Sequence, residues 1–198
     1  MSTVSDAVSA ILLAAGQSRR MGEFKQLLPF AGKTFVECCV DHLLAARARD
    51  VIVVTGHREA EVRAAIGDRP VTFAHNAEYR FGMSSSIKRG VEALPEDAGA
   101  ILVALADQPQ IGVDTIDRII AAYESQHPLI VIPTYKGGNG HPILLDASLR
   151  QEILGMDQTQ GLRQVVHAHR DRTLRVEAPS EDVLVDFDYP EDYQSRES

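Results

Sequence analysis

Short apolar runs alternate along the chain with stretches whose apolar residues recur at helical spacing. The run VSAILLAA (8–15) ends at Gly16 and predicts a buried strand. TFVECCVDHLLAARA (34–48) carries Phe35, Cys38, Cys39, His42, Leu43 and Ala46 on one helical face, with Thr34 placed to cap its start. DVIVVTG (50–56) predicts a strand, REAEVRAAIG (58–67) a helix stopped by Gly67, and VTFAH (71–75) a short strand. MSSSIKRGVEAL (83–94) predicts a helix with a serine-rich first turn. GAILVALAD (99–107), the most apolar strand, precedes the amphipathic helix VDTIDRIIAAYESQ (113–126). LIVIPTY (129–135) and HPILLD (141–146) flank KGGNG and predict a hairpin or an antiparallel pair.

This alternation predicts a three-layer α/β/α fold, Rossmann-like, with a mostly parallel sheet and one antiparallel element. The length suits one domain over residues 1–198, and the terminal SRES reads as frayed. Ligands of open α/β sheets sit beyond the carboxyl ends of the strands. Three segments fall there: the loop after the first strand, the Asp107-Gln108-Pro109 step, and the Gly82–Ser86 turn.

The first of these, LAAGQSRRMGEFKQLLP (13–29), sets Arg19, Arg20 and Lys25 on one glycine-containing loop, where Lys25 reads as an exposed loop lysine. Its glycines permit close backbone approach, its free amides suit phosphate oxygens, and its cations add full charge. A polyphosphate is the natural guest. The loop is a local exception to the chain's balance, 20 Lys and Arg against 28 Asp and Glu, a net charge of −8. That balance argues against nucleic acid or an anionic membrane surface as the main partner.

Cys38 and Cys39, the only cysteines, are adjacent and read as packing residues, consistent with a reducing cytoplasm. The first residues lack the basic start of a secretory signal, and no apolar run is long enough to span a bilayer. Gly32-Lys33-Thr34 resembles the end of a Walker loop, but that motif needs glycine five residues before Gly32, where Leu27 stands. No G-x-G-x-x-G fingerprint is present, and His167 and His169 lack the companions of a zinc site.

LAAGQSRRMGEFKQLLPFAGK resembles the signature L-A-A-G-x-S-x-R-M-G-x-x-K-x-L-L-P of the nucleotidyltransferases related to molybdenum cofactor cytidylyltransferase. The resemblance continues through VVTGH, GMSSSIKRG, LADQP, GGNGHPILL and DFDYPEDY, in family order over nearly the whole chain. It implies a nucleotide-diphospho-sugar transferase fold. It also implies attack by an acceptor phosphate on the α-phosphate of a nucleoside triphosphate, CTP favoured, with a molybdopterin-type cofactor as acceptor. A recipient molybdoenzyme or its chaperone is a further implied partner. The alternatives are a guanylyl- or sugar-phosphate nucleotidyltransferase and a non-catalytic nucleotide or cofactor carrier.

By the same resemblance, Lys25 and Arg20 bind the triphosphate. Asp107 holds Mg²⁺ with Asp188, ahead of Asp186, and counts with those two cations among the catalytic residues. The backbone of Leu13, Ala14, Ala15 and Gly16 meets the base together with Gly82 and Ser86; Ser84 and Ser85 rank behind, since serines there also cap helices. The Ala15 methyl, where guanylyl-transferring relatives have glycine, is expected to limit the approach of a purine. His141 lies on the acceptor side. An attacking phosphate is already an anion, so the chemistry calls for cations and positioning rather than a general-base triad.

Overall fold

The computed structural model describes residues 7–18, 21–187 and 193. In chain order the elements are β1 (Val8–Leu13), β2 (Pro29–Phe30), β3 (Lys33–Thr34), α1 (Phe35–Ala45), β4 (Asp50–Thr55), α2 (Glu59–Ile66), β5 (Thr72–His75), α3 (Met83–Glu92), β6 (Ala100–Leu105), α4 (Val113–Gln126), β7 (Ile130–Tyr135), β8 (Gly138–Asn139), β9 (Ile143–Asp146), α5 (Arg150–Gly155), α6 (Leu162–Ala168) and β10 (Thr173–Glu177). The main sheet runs β10-β7-β9-β6-β1-β4-β5, with β8 beside β7 and the β2–β3 hairpin apart from it. β1 is parallel to both β4 and β6, whereas β9 runs antiparallel to β6 and β7. This is the expected Rossmann-like α/β/α fold.

Period-two alternation along β1 sends its side chains into two layers. Ala10 and Leu12 join Val36, Val40 and Leu43 of α1 and Ile116, Ile119 and Ile120 of α4. Ile11 faces the opposite layer, with Ile87 and Val91 of α3 and Ile153 of α5. A strand covered on both faces needs the near-continuous apolar run seen at 8–15, interrupted only by Ser9, whose hydroxyl donates to Asp50. The chain leaves β1 for β4 and β5 on one side and later for β6 on the other. The carboxyl end of β1 is therefore a topological switch point, where such sheets bind ligands.

Thr34 caps α1 as expected: its hydroxyl accepts from the Glu37 amide, and the Glu37 carboxylate accepts from the Thr34 amide and hydroxyl. The predicted antiparallel pair is present: β7 and β9 run antiparallel, Ile130 opposite Leu145 and Val131 opposite Leu144, although the tight hairpin itself is made with β8. β8 is the immediate hairpin partner of β7, pairing Thr134 with Asn139, while β9 runs between β6 and β7. Cys38 and Cys39 are buried and unbridged, and burial pushes both thiols up.

Candidate functional site

The loop after β1 starts from a fixed backbone. The Ala14 amide donates to the Val54 carbonyl at 2.9 Å, and the Leu13 and Ala15 carbonyls accept from the amides of Ala106 and His57, each at 3.2 Å. Ala14 packs into one apolar layer and Ala15 into the other. The Ala15 methyl faces Gly56, where an added Cβ would lie 2.9 Å from it. The expectation that this methyl limits a purine is thereby corrected: alternation at the strand end turns it into the core.

Ser18 organises the rest of the loop. Its hydroxyl accepts from the Lys25 amide at 3.1 Å and donates to Gln26 Oε1 at 3.2 Å, while Gln26 Nε2 donates to the Gly16 carbonyl at 3.3 Å. Sequence reasoning missed both residues, although Ser18 stands in the motif itself. Their bonds close the loop on itself and leave Lys25 facing the next strand end.

There Lys25 Nζ lies 3.2 Å from Asp107 Oδ2. Lys25 is 6% exposed, so the expected exposed loop lysine is in fact a buried one, because the loop folds it onto the carboxyl end of β6. The Asp107 side chain keeps 28% of its surface open. The pair joins the cation and the carboxylate that the sequence separates by 82 positions.

A C-terminal strap passes the same edge. Gln108 Nε2 donates to Asp186 Oδ1 at 2.7 Å and to the Val185 carbonyl at 3.2 Å, and Gln110 Nε2 donates to the carbonyls of Asp182 and Val185. The His141 amide donates to the Val183 carbonyl at 3.0 Å. At Gly140 a Cβ would lie 2.2 Å from the Val183 carbonyl oxygen, so only glycine lets the strap approach. Asp186 thus comes to the Asp107 loop through Gln108. Asp188, Arg19 and Arg20 lie outside the described residues. Among the described residues the buried His141 Nδ1 has no hydrogen-bond partner; burial lowers the imidazole's proton affinity against the opposing pull of Asp107.

The third segment is the start of α3. Gly82, at φ +103°, precedes the helix and offers it no side-chain cap. Ser84, Ser85 and Ser86 are buried, and none of them caps the helix. Ser84 Oγ donates to the Gln158 carbonyl at 2.8 Å. Ser85 Oγ donates to the carbonyls of Gly82 and Glu78, at 2.8 and 3.0 Å. Asn76, just beyond β5, donates from Nδ2 to both Ser85 Oγ and Ser86 Oγ. Asn76 was not singled out in the sequence, though its place after a strand is the same signal that marks Asp107.

Of the His167 and His169 pair, the His169 ring meets the Glu152 carboxylate at 2.7 Å. Among the described residues no cluster of three or more His, Cys, Asp or Glu is set to hold a metal ion, and no helix is long and apolar enough to cross a membrane.

A family model for a MobA-like NTP transferase domain matches residues 10–173. The chain is 34% identical over 157 residues to the nicotine blue oxidoreductase of Paenarthrobacter nicotinovorans, covering 74% of each chain. It is 26% identical over 188 residues to the molybdenum cofactor cytidylyltransferase of Escherichia coli K12, covering 94% of each. A nucleotidyl transferase structure from Methanothermobacter thermautotroptrophicus superposes with a TM-score of 0.84 at 29% identity, covering 96% of each chain.

Proposed function

The chain belongs to the MobA-like NTP transferase domain family, and on that premise we propose that it transfers CMP from CTP to the terminal phosphate of a molybdopterin-type cofactor. An acceptor phosphate oxygen bonds to the α-phosphorus of CTP, the bond from that phosphorus to the bridging oxygen breaks, and pyrophosphate leaves with the electron pair. The observation that carries the reading is Lys25 held against Asp107 at the carboxyl end of β6, beside the amide-bearing loop after β1.

Each residue has a task in this reading. The loop from Gly16 to Ser18 binds phosphate oxygens through backbone amides, with Lys25 and Arg20 countering the charge that develops on the triphosphate. Leu13, Ala14 and Ala15 line the base with their backbone, and Gly82 and Ser86 complete that wall. His141, whose proton affinity burial lowers, receives the acceptor phosphate. Mg²⁺ would neutralise phosphate charge, and Asp107 with Asp188 would hold it. The partly open Asp107 carboxylate is the hard oxygen donor such an ion takes alongside substrate phosphates.

The test is incubation with each nucleoside triphosphate, Mg²⁺ and molybdopterin cofactor, scored by pyrophosphate release. Release with CTP that depends on the acceptor is expected. Release with GTP alone makes the protein a guanylyltransferase, and no release with any nucleotide overturns transfer.

A second reading rests on the 34% identity to the nicotine blue oxidoreductase. In it the same cleft takes a nucleotide cofactor for electron transfer. Oxidation of a reduced nicotinamide nucleotide by a quinonoid dye, unaffected by CTP, would favour it.

A further inference from the structure

We propose that Asn76 is a specificity-determining positioning residue. It fixes Ser86 as a hydrogen-bond donor and so selects a nucleobase that carries a ring carbonyl. This rests on the reading of Ser86 as a base contact.

The orientation of the amide is set by its surroundings. Asn76 Oδ1 accepts from the Glu78 amide at 2.9 Å, and a backbone N–H can only donate. The carboxamide oxygen must therefore stay on that side. Both Nδ2 protons then point to the serines, to Ser85 Oγ at 2.9 Å and Ser86 Oγ at 3.0 Å.

The two hydroxyls differ in what they do with their own protons. Ser85 passes its proton to the backbone, to the Gly82 or Glu78 carbonyl. A helical serine commonly donates back to the carbonyl four residues earlier. For Ser86 that carbonyl belongs to Gly82, which already receives the Ser85 hydroxyl and the Ser85 amide. Among the described residues no acceptor is paired with the Ser86 proton. Ser86 is 5% exposed and Asn76 is 4% exposed, so the donor is not satisfied by bulk water and a ligand acceptor has high value there.

The chemical class follows from this polarity. Cytosine presents a carbonyl at C2, uracil at C2 and C4, and guanine at C6, whereas adenine has no carbonyl. Adenine offers a donor only its in-ring nitrogens, so a hydroxyl aimed at an oxygen that projects from the ring sets the site against ATP first. Within CTP the proposed acceptor is the C2 carbonyl oxygen rather than the ring nitrogen N3, and replacing that oxygen with sulfur tests the choice.

The test uses the full chain with Mg²⁺ and calorimetric titration of CTP and 2-thio-CTP, whose sulfur is a poorer acceptor. The wild type should prefer CTP by about 10-fold, the scale of one hydrogen bond to a neutral group. Asn76→Asp keeps the acceptor for the Glu78 amide but draws the Ser86 proton to its carboxylate. It should weaken CTP by a similar factor and bring the ratio of the two nucleotides near one. Ser86→Ala should do the same, and the double variant should lose no more than either single one. Asn76→Ala gives a second route should Asn76→Asp melt early, and it too should collapse the ratio. A wild-type ratio near one overturns the proposal. So does an Asn76 variant that weakens both nucleotides equally and keeps the ratio, which is the mark of a purely structural asparagine. If instead Ser86→Ala leaves CTP binding untouched, the base-contact reading itself falls, and the inference with it.

Discussion

Lys25 and Asp107 meet at 3.2 Å across the carboxyl ends of β1 and β6, one buried and the other partly open. The pairing gives each residue two jobs, because each also balances the charge of its partner. Lys25→Met should lower turnover about 10²–10³-fold, the scale of losing one preorganised charge contact. It should also destabilise the fold by about 1–2 kcal/mol, since a partly buried carboxylate loses its partner. Asp107→Asn keeps an acceptor for the ammonium, so it should lose turnover with a much smaller change in melting. Steady-state kinetics beside urea unfolding separates the two effects. Normal turnover in Lys25→Met would remove it from the catalytic set.

The strap that carries Asp186 depends on one missing methyl. Gly140→Ala would set a Cβ against the Val183 carbonyl, a backbone atom that cannot swing aside. We expect a loss of about 1–3 kcal/mol from overpacking. The displaced strap should also weaken the Gln108–Asp186 contact, so the concentration of Mg²⁺ needed for half-maximal activity should rise. A variant with wild-type melting and wild-type Mg²⁺ dependence would mean the strap repacks freely.

Away from the cleft, Arg69 ties α1 to the end of α2. It reaches Asp41 at 2.6 Å and Glu37 at 3.3 Å, and donates to the carbonyls of Ile66 and Ala65. The guanidinium holds the Asp41 carboxyl below its usual range. The Thr34 bonds, with Arg69 behind them, do the same for Glu37. Both acids are thus depressed in the folded state. Their contribution is fully present above the ordinary carboxylate values of about 4 and is lost as pH falls through the depressed folded values. Arg69→Met should cost about 1–2 kcal/mol at neutral pH. The difference from wild type should shrink on acidification below about pH 4, as followed by urea unfolding. A constant difference down to acid would show that the carboxylates are not what Arg69 contributes.

Most of the sheet was legible because each buried strand of the first half is a compact apolar run punctuated by glycine or a charged turn. Thr34 announced the start of α1; Glu37, three residues on, completes a capping box that the reading of the sequence did not use. The C-terminal third was harder. β10 is a half-exposed edge strand, and α5 and α6 are short, so neither carries a strong period. In the site, strand ends pointed to Asp107, but the partners of a loop cannot be read from its motif. The burial of Lys25, the Ser18–Gln26 brace and the Gln108 link to Asp186 all come from long-range folding. Asn76 had a local signal, the end of a short strand, yet its meaning lies in which way its amide faces.

Ala15 is where a sequence argument and the structure part most sharply. By the resemblance read from the sequence its identity would set the Leu13–Gly16 stretch apart from guanylyl-transferring proteins, and a methyl facing the base would explain a pyrimidine preference. The methyl instead lies in the apolar layer with Ile11, Val54 and Ala74, facing Gly56. Ala15→Gly therefore removes buried apolar surface and adds backbone freedom to the unfolded chain. It should cost about 0.5–1 kcal/mol or slightly more. The ratio of kcat/KM for CTP over GTP should stay within about 2-fold of wild type, less than 0.5 kcal/mol, because no contact made by the base changes. Ser86→Ala, measured in parallel, should change that ratio more. A collapse of the CTP preference in Ala15→Gly, without a comparable effect of Ser86→Ala, would return base selection to the loop backbone, since the glycine opens angles there that alanine closes.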